Sequence, residues 1–195
     1  ARLLADAVEA YRAALRVYTE TDHPLQWAMT QNSLANALSE QGSRVAGDAG
    51  ARLLGDAVEA YRAALRVYTE TDHPLQWATT QNSLAIALSE QGSRVAGDAG
   101  ARLLADAVEA CRAALRVYTE TDHPLQWAGT LYNLGVAFEK LADRYEGSEQ
   151  AAYLNKCLSA LDRALTKFDP EHTASYYEEC KQVRDRVQAK LDALN

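Results

Sequence analysis

Residues 51–100 read ARLLGDAVEA YRAALRVYTE TDHPLQWATT QNSLAIALSE QGSRVAGDAG, and residues 1–50 are the same sentence with three differences, Ala5/Gly55, Met29/Thr79 and Asn36/Ile86. Residues 101–130 continue a third copy, with Cys111 in place of Tyr11 and Tyr61, and Gly129 in place of Met29 and Thr79. From Leu131 the wording diverges but the pattern persists. Leu154, Cys157, Ala160, Leu161, Ala164 and Leu165 fall where Leu54, Ala57, Ala60, Tyr61, Ala64 and Leu65 stood. A fixed period of 50 residues means a stacked array, because a unit that cannot bury its apolar face alone buries it on its neighbours.

Each unit holds two helical patterns. The first predicts a helix from about Arg52 to Glu70, with Leu54, Ala57, Val58, Tyr61, Ala64, Leu65 and Tyr68 at three- and four-residue steps. It ends near Thr71-Asp72-His73, and Pro74 opens the second, since a missing N–H costs nothing in a first helical turn. Trp77, Leu84, Ala85 and Leu88 form the buried stripe of that second helix, and Val95-Ala96-Gly97-Asp98-Ala99-Gly100 reads as the connecting loop. Short links join antiparallel helices. A last helix, about His172 to Leu194, places Tyr176, Cys180, Val183, Val187 and Leu191 on one stripe, as a terminal cap requires. The expected fold is all-α, a solenoid of antiparallel helix pairs with about eight helices. Its units lie near 1–50, 51–100 and 101–150, with a partial unit over 151–170 and a capping helix over 171–195.

Leu131-x2-Leu134-Gly135-x2-Phe138 resembles the first-helix signature of tetratricopeptide repeats, where Trp, Leu, Gly and Tyr hold those four places. In the earlier units the same places are Gln31, Leu34, Ala35 and Leu38. Ala57-x3-Tyr61, with Ala64 beyond, resembles the second-helix half, and Pro74 resembles the closing proline. The family unit is about 34 residues, so alignment places about ten extra residues in the loop after Gly42 and about six at the end of the second helix. HEAT-like helix pairs are nearer in period and poorer in residue placement. The tetratricopeptide resemblance implies a right-handed superhelix whose concave surface, made mostly by the helices that begin at Pro24, Pro74 and Pro124, holds protein or peptide ligands. Long-unit arrays of this wording resemble those attached to bacterial signalling proteins, which implies a sensor or adaptor part of a larger protein.

Composition narrows the function classes. Hydrophobic residues make up 48% of the chain, with four prolines and two phenylalanines, which favours a helical core over sheet or disorder. The net charge of −7 is spread out, 11 arginines against 16 acidic residues before Leu131 and 9 basic against 11 acidic from there on. A nucleic-acid partner wants a basic stripe, and none is present. No apolar run approaches the roughly 20 residues of a membrane span, and no signal-like segment opens the chain. Met29 is the only methionine, so the chain reads as a piece of something larger. Cys111, Cys157 and Cys180 lack CxxC spacing and read as buried thiols of a reducing cytoplasm.

Candidate binding residues follow from helical geometry. At about 100° per residue, the side opposite Leu34 carries Met29, Asn32, Asn36 and Glu40, and its equivalents are Thr79, Asn82, Ile86 and Glu90. The third set is Gly129, Tyr132, Val136 and Lys140. Two of the three differences between the first units fall on this stripe. Either the repeats diversify where they touch a ligand, or exposed positions drift. Asn32 and Asn82 suit a peptide backbone, since an amide both donates and accepts. The basic residues of a carboxylate-clamp tetratricopeptide domain are absent here, which argues against a C-terminal carboxylate ligand.

Other features read as structure. His23, His73 and His123 follow Asp22, Asp72 and Asp122, but copies about 10 Å apart cannot share one metal ion, and capping or turn duty is expected of the aspartates. Trp27, Trp77 and Trp127 read as packing between units. Gly47-Asp48-Ala49-Gly50 lacks the Lys-Ser/Thr of a phosphate loop. No HExxH, GxSxG or Cys/His constellation is present, so neither catalysis nor a cofactor is expected. Two functions remain: a protein- or peptide-binding module, or a structural spacer that self-associates through its first helix by way of Leu3 and Tyr11.

Overall fold

Leu54, Leu104 and Leu154, one unit apart, are each completely buried, and the chain is wound around this recurring contact. The computed structural model describes residues 2–194. Among them are eight helices and no strand: α1 (Arg2–Ala14), α2 (Pro24–Arg44), α3 (Gly47–Ala64), α4 (Pro74–Arg94), α5 (Gly97–Ala114), α6 (Pro124–Ala142), α7 (Gly147–Leu165) and α8 (Ala174–Asp192). Each helix packs on its neighbours in sequence, giving an all-α repeat solenoid. The even-numbered helices also touch the next of their own kind, while the backbones of the odd-numbered helices stay apart. The array therefore curves, with α2, α4, α6 and α8 on its inner side.

The helix boundaries correct the sequence reading at three points. The expected loop over residues 95–100 is mostly helix, because α5 already begins at Gly97, whose φ of 62° makes the turn that a side chain would resist. Only Val95 and Ala96 link α4 to α5. The extra length over the shorter repeat therefore lies in long helices, 21 residues in α4 and 18 in α5, and not in a loop after Gly42. The first pattern also stops early: α3 ends at Ala64, and Tyr68 is buried from the turn beyond it. Finally, of the capping and turn duties expected of the aspartates, they perform the second and not the first. The Thr69 hydroxyl donates to Asp72 Oδ2 at 2.6 Å and accepts the Asp72 N–H at 3.0 Å, which closes the turn. Pro74 supplies the first helical position, and no side chain caps the helix at His73.

Two contacts tie each unit to the next. At one end, Arg94 Nη1 donates to the carbonyls of Gly42 (2.7 Å) and Val45 (2.8 Å), and Nη2 to that of Ser43 (3.1 Å). Arg144 repeats this one unit on, donating to Gly92 O at 2.6 Å and Val95 O at 2.9 Å. Each arginine thus supplies donors to the C-terminal carbonyls of the preceding inner helix, where the helix dipole also favours a cation. The backbones come close enough only because Gly100 has no side chain: a Cβ there would lie 2.0 Å from Val95 O. At the other end, Arg116 pairs with both oxygens of Glu70 at 2.9 and 2.8 Å while its guanidinium lies 5.0 Å from the Trp77 ring. Arg66, Glu20 and Trp27 form the same triad. In the last unit the work is divided, with Lys167 on Glu120 and Arg163 over Trp127.

Helix α8 packs on α7 and α6 through Cys180, Val183 and Val187, all buried, and pairs with one buried carboxylate. Glu139 accepts from Arg186 Nε (2.8 Å) and Nη2 (2.6 Å), and Lys190 Nζ lies 3.0 Å away. Burial pulls this carboxyl upward, but Arg186 and Lys190 together outweigh it and hold it below the ordinary glutamate range. Tyr176, expected on the buried stripe, is instead 62% exposed and stacks on Phe168 at 5.7 Å.

Chemical denaturation checks two consequences. Gly100→Ala should cost about 3 kcal/mol by overpacking, whereas Gly55→Ala, where a Cβ meets only the flexible end of Gln91 at 3.0 Å, should gain about 0.5–1 kcal/mol in the helix interior. Because the folded carboxyl of Glu139 lies below its reference value of 4.5, its contribution is complete above that pH and disappears as pH falls through the folded value. Glu139→Gln should accordingly cost about 2 kcal/mol at pH 7 and distinctly less at pH 3, read as urea midpoints.

Candidate functional site

The inner face carries a groove of about 650 Å³ between α4, α6 and the start of α8. Thr79, Asn82 and Ile86 line it from α4, Gly129 and Tyr132 from α6, and Tyr176 and Glu179 from α8. Tyr118 and Phe168 enter it from the turns after α5 and α7. Gly129 gives the groove its depth, since a Cβ at that point would meet nothing within 4 Å. The Tyr118 and Thr79 hydroxyls lie 2.6 Å apart, which fixes one wall. Burial raises the Tyr132 phenol above its usual range, and the nearby Glu179 carboxylate adds to the shift. Leu125 and Ile86 contribute exposed apolar surface to the same groove.

Of the residues singled out by helical phase, Thr79, Asn82, Ile86, Gly129 and Tyr132 line this groove. Asn32 lines a smaller hollow one unit earlier, about 250 Å³, with Thr79, Tyr68 and Leu75. The remaining residues line neither. Met29 stands exposed on α2, and Val136 is half-buried. Glu40 pairs with Arg44, and Glu90 with Lys140 at 3.0 Å. Leu3, on α1, is 84% exposed, whereas Tyr11 packs partly against the core.

The asparagines have structural work to do. Asn32 Oδ1 accepts from the Thr80 hydroxyl at 3.2 Å, and Asn82 Oδ1 from Asn133 Nδ2 at 3.0 Å. Both side chains therefore link successive inner helices. Asn36 Oδ1 accepts from the hydroxyl of Tyr61 at 2.6 Å. Tyr61 is buried, and burial pushes its phenol up to about 12, with the Ser83 hydroxyl pulling the other way. One unit on, the equivalent positions are Ile86 and Cys111, and then Val136 and Leu161. Polar Asn36 thus accompanies the one hydroxyl that needs an acceptor, and apolar Ile86 and Val136 accompany Cys111 and Leu161. A packing pair accounts for this difference between units, alongside its place on the inner stripe.

Sequence phase missed the groove's aromatic rim. Tyr118 and Phe168 recur one unit apart as Tyr18, Tyr68, Tyr118 and Phe168, and that recurrence was the available signal. Nothing in a single helix's periodicity shows that a turn residue reaches the inner face of its neighbour. Cys111, Cys157 and Cys180 are buried, each thiol pushed up to about 12 chiefly by burial, which keeps them protonated and unreactive. Among the described residues no group of three His, Cys, Asp or Glu side chains is placed to hold a metal ion. Nor, among the described residues, is any helix long and apolar enough to cross a membrane.

No protein-family model, curated protein or solved structure matches the chain. What defines the molecule is thus its architecture: a helical repeat array with an aromatic-lined groove on its inner face.

A double-mutant cycle tests the packing pair. Asn36→Ile alone should cost about 1–2 kcal/mol by removing the acceptor of the Tyr61 hydroxyl, which keeps only its Ser83 contact, and in a Tyr61→Phe background about 1 kcal/mol of that loss should vanish. Additive losses would show the two side chains to be independent.

Proposed function

We propose that the chain is a protein- or peptide-binding module of the tetratricopeptide kind, which holds its ligand along the groove over α4, α6 and α8. The observation that carries this reading is the groove itself. Its volume of about 650 Å³ falls within the range of about 300–1,000 Å³ usual for ligand sites, and it combines aromatic walls with a few polar groups. A neighbouring feature supports the family resemblance. Gly135, at the glycine place of the repeat signature, lies where a Cβ would come 2.9 Å from Leu161, so α6 and α7 cross closely at that residue. Ala35 and Ala85 hold the same place in α2 and α4 and are buried.

In this reading the chain is the sensor or adaptor part of a larger bacterial protein. Three buried, unpaired thiols fit a reducing compartment such as the cytoplasm. The ligand is a peptide segment, because an open groove flanked by exposed Leu125 and Ile86 suits an elongated partner with side chains at intervals.

Peptides selected on the whole chain from a random-sequence display library provide the test. Gly129→Met places the side chain of Met29 in the groove, at a position where a Cβ meets no atom within 4 Å. The variant should fold with equal or greater stability, since it removes a glycine from a helix. Selected peptides should bind it at least tenfold more weakly by calorimetry. Undiminished binding would place the ligand elsewhere.

A further inference from the structure

At two contacts between units an aromatic face beside a carboxylate is completed by one cation. Trp27 and Glu20 share Arg66, and Trp77 and Glu70 share Arg116. Lys156 stands over Tyr153 at 4.8 Å. The electron-rich face of a ring attracts positive charge, and a neighbouring carboxylate strengthens the attraction. The groove repeats the first two parts of this arrangement without the third. Tyr118, Tyr132, Phe168 and Tyr176 line it together with Glu179, and no arginine or lysine does.

The basic groups around it are already committed. Lys140 is held by Glu90 at 3.0 Å, and Arg186 and Lys190 are held by Glu139. Glu179 receives only a long contact of 3.5 Å from the Ser175 hydroxyl and forms no ion pair among the described residues. The stacked pair Phe168 and Tyr176, with interplanar angle 18°, offers aromatic surface at the same end of the groove.

We propose that the groove's peptide ligand contributes an arginine side chain, which enters among Tyr132, Phe168 and Tyr176 and pairs with Glu179. This inference rests on the peptide-binding reading above and specifies its chemistry. Arginine fits better than lysine because a planar guanidinium stacks on rings while presenting its N–H fork to a carboxylate. The chain's net charge of −7 favours the approach of a basic segment.

The test uses peptides selected on the whole chain from a random library, resynthesised with arginine replaced by citrulline, which keeps the shape and removes the charge. Peptides that lose affinity for Gly129→Met should share an arginine. Citrulline should weaken them about tenfold, and Glu179→Gln should weaken the arginine form about fivefold while leaving the citrulline form nearly unchanged. Groove-bound peptides that lack arginine, or that bind equally well with citrulline, would overturn the cation inference and leave peptide binding intact. Selected peptides all indifferent to Gly129→Met would overturn both.

Discussion

The array depends on a close approach of backbones at the end of each inner helix. The first turn of α5 runs so near the C-terminus of α4 that Gly100 has no room for a Cβ, and the same holds at Gly50 beside α2. That proximity crowds several carbonyl groups into one corner. Arg94 and Arg144 reach back from the following unit to satisfy them. Hydrogen bonds from a charged donor contribute about 1.5–3 kcal/mol each, and an unsatisfied buried carbonyl costs a comparable amount. A unit is therefore completed by its successor, which is why the fold propagates as a stack. Arg44, which has no preceding unit among the described residues to serve, pairs with Glu40 on its own helix instead.

The second contact lies at the opposite end of the inner helices, where tryptophan, glutamate and arginine meet between units. Two fixed points at the two ends of a helix pair determine the angle between units more firmly than a slippery apolar stripe could. The inner helices are drawn together while the outer backbones stay apart, and side-chain pairs such as Arg62 with Asp106 at 3.5 Å span the gap. The groove is a product of that curvature. Its walls belong to successive inner helices, so its width follows from the angle and its contents from the side chains at a few positions.

Much of the fold was legible because period and phase are local properties. The 50-residue recurrence specified stacking, and the positions of Leu54, Leu84 and Trp77 specified which faces are buried. The reading failed where a local signal carries two meanings. Gly97-Asp98-Ala99-Gly100 has the composition of a loop, but its first glycine makes a left-handed turn and its last admits a neighbouring backbone, both within helix α5. The inner stripe was located by phase, yet the bond from Tyr61 to Asn36 lies between helices and left no periodic trace. The groove's rim was harder still, being assembled from two turns and helix α8.

The same position in three units shows how such an array separates its frame from the shape of its inner face. Met29, Thr79 and Gly129 are equivalent, on helices that otherwise begin with the same words. Around Thr79, which also bonds to the Leu75 carbonyl, the hollow is about 250 Å³; where Gly129 forms the floor it is about 650 Å³. Gly129 can vary because its missing Cβ leaves open space, whereas Gly100 cannot because its missing Cβ is occupied by a carbonyl. Both are glycines, and their physical meanings are opposite. A groove deepened at one tolerant position leaves both inter-unit contacts untouched, so its shape can change without altering the angle that creates it.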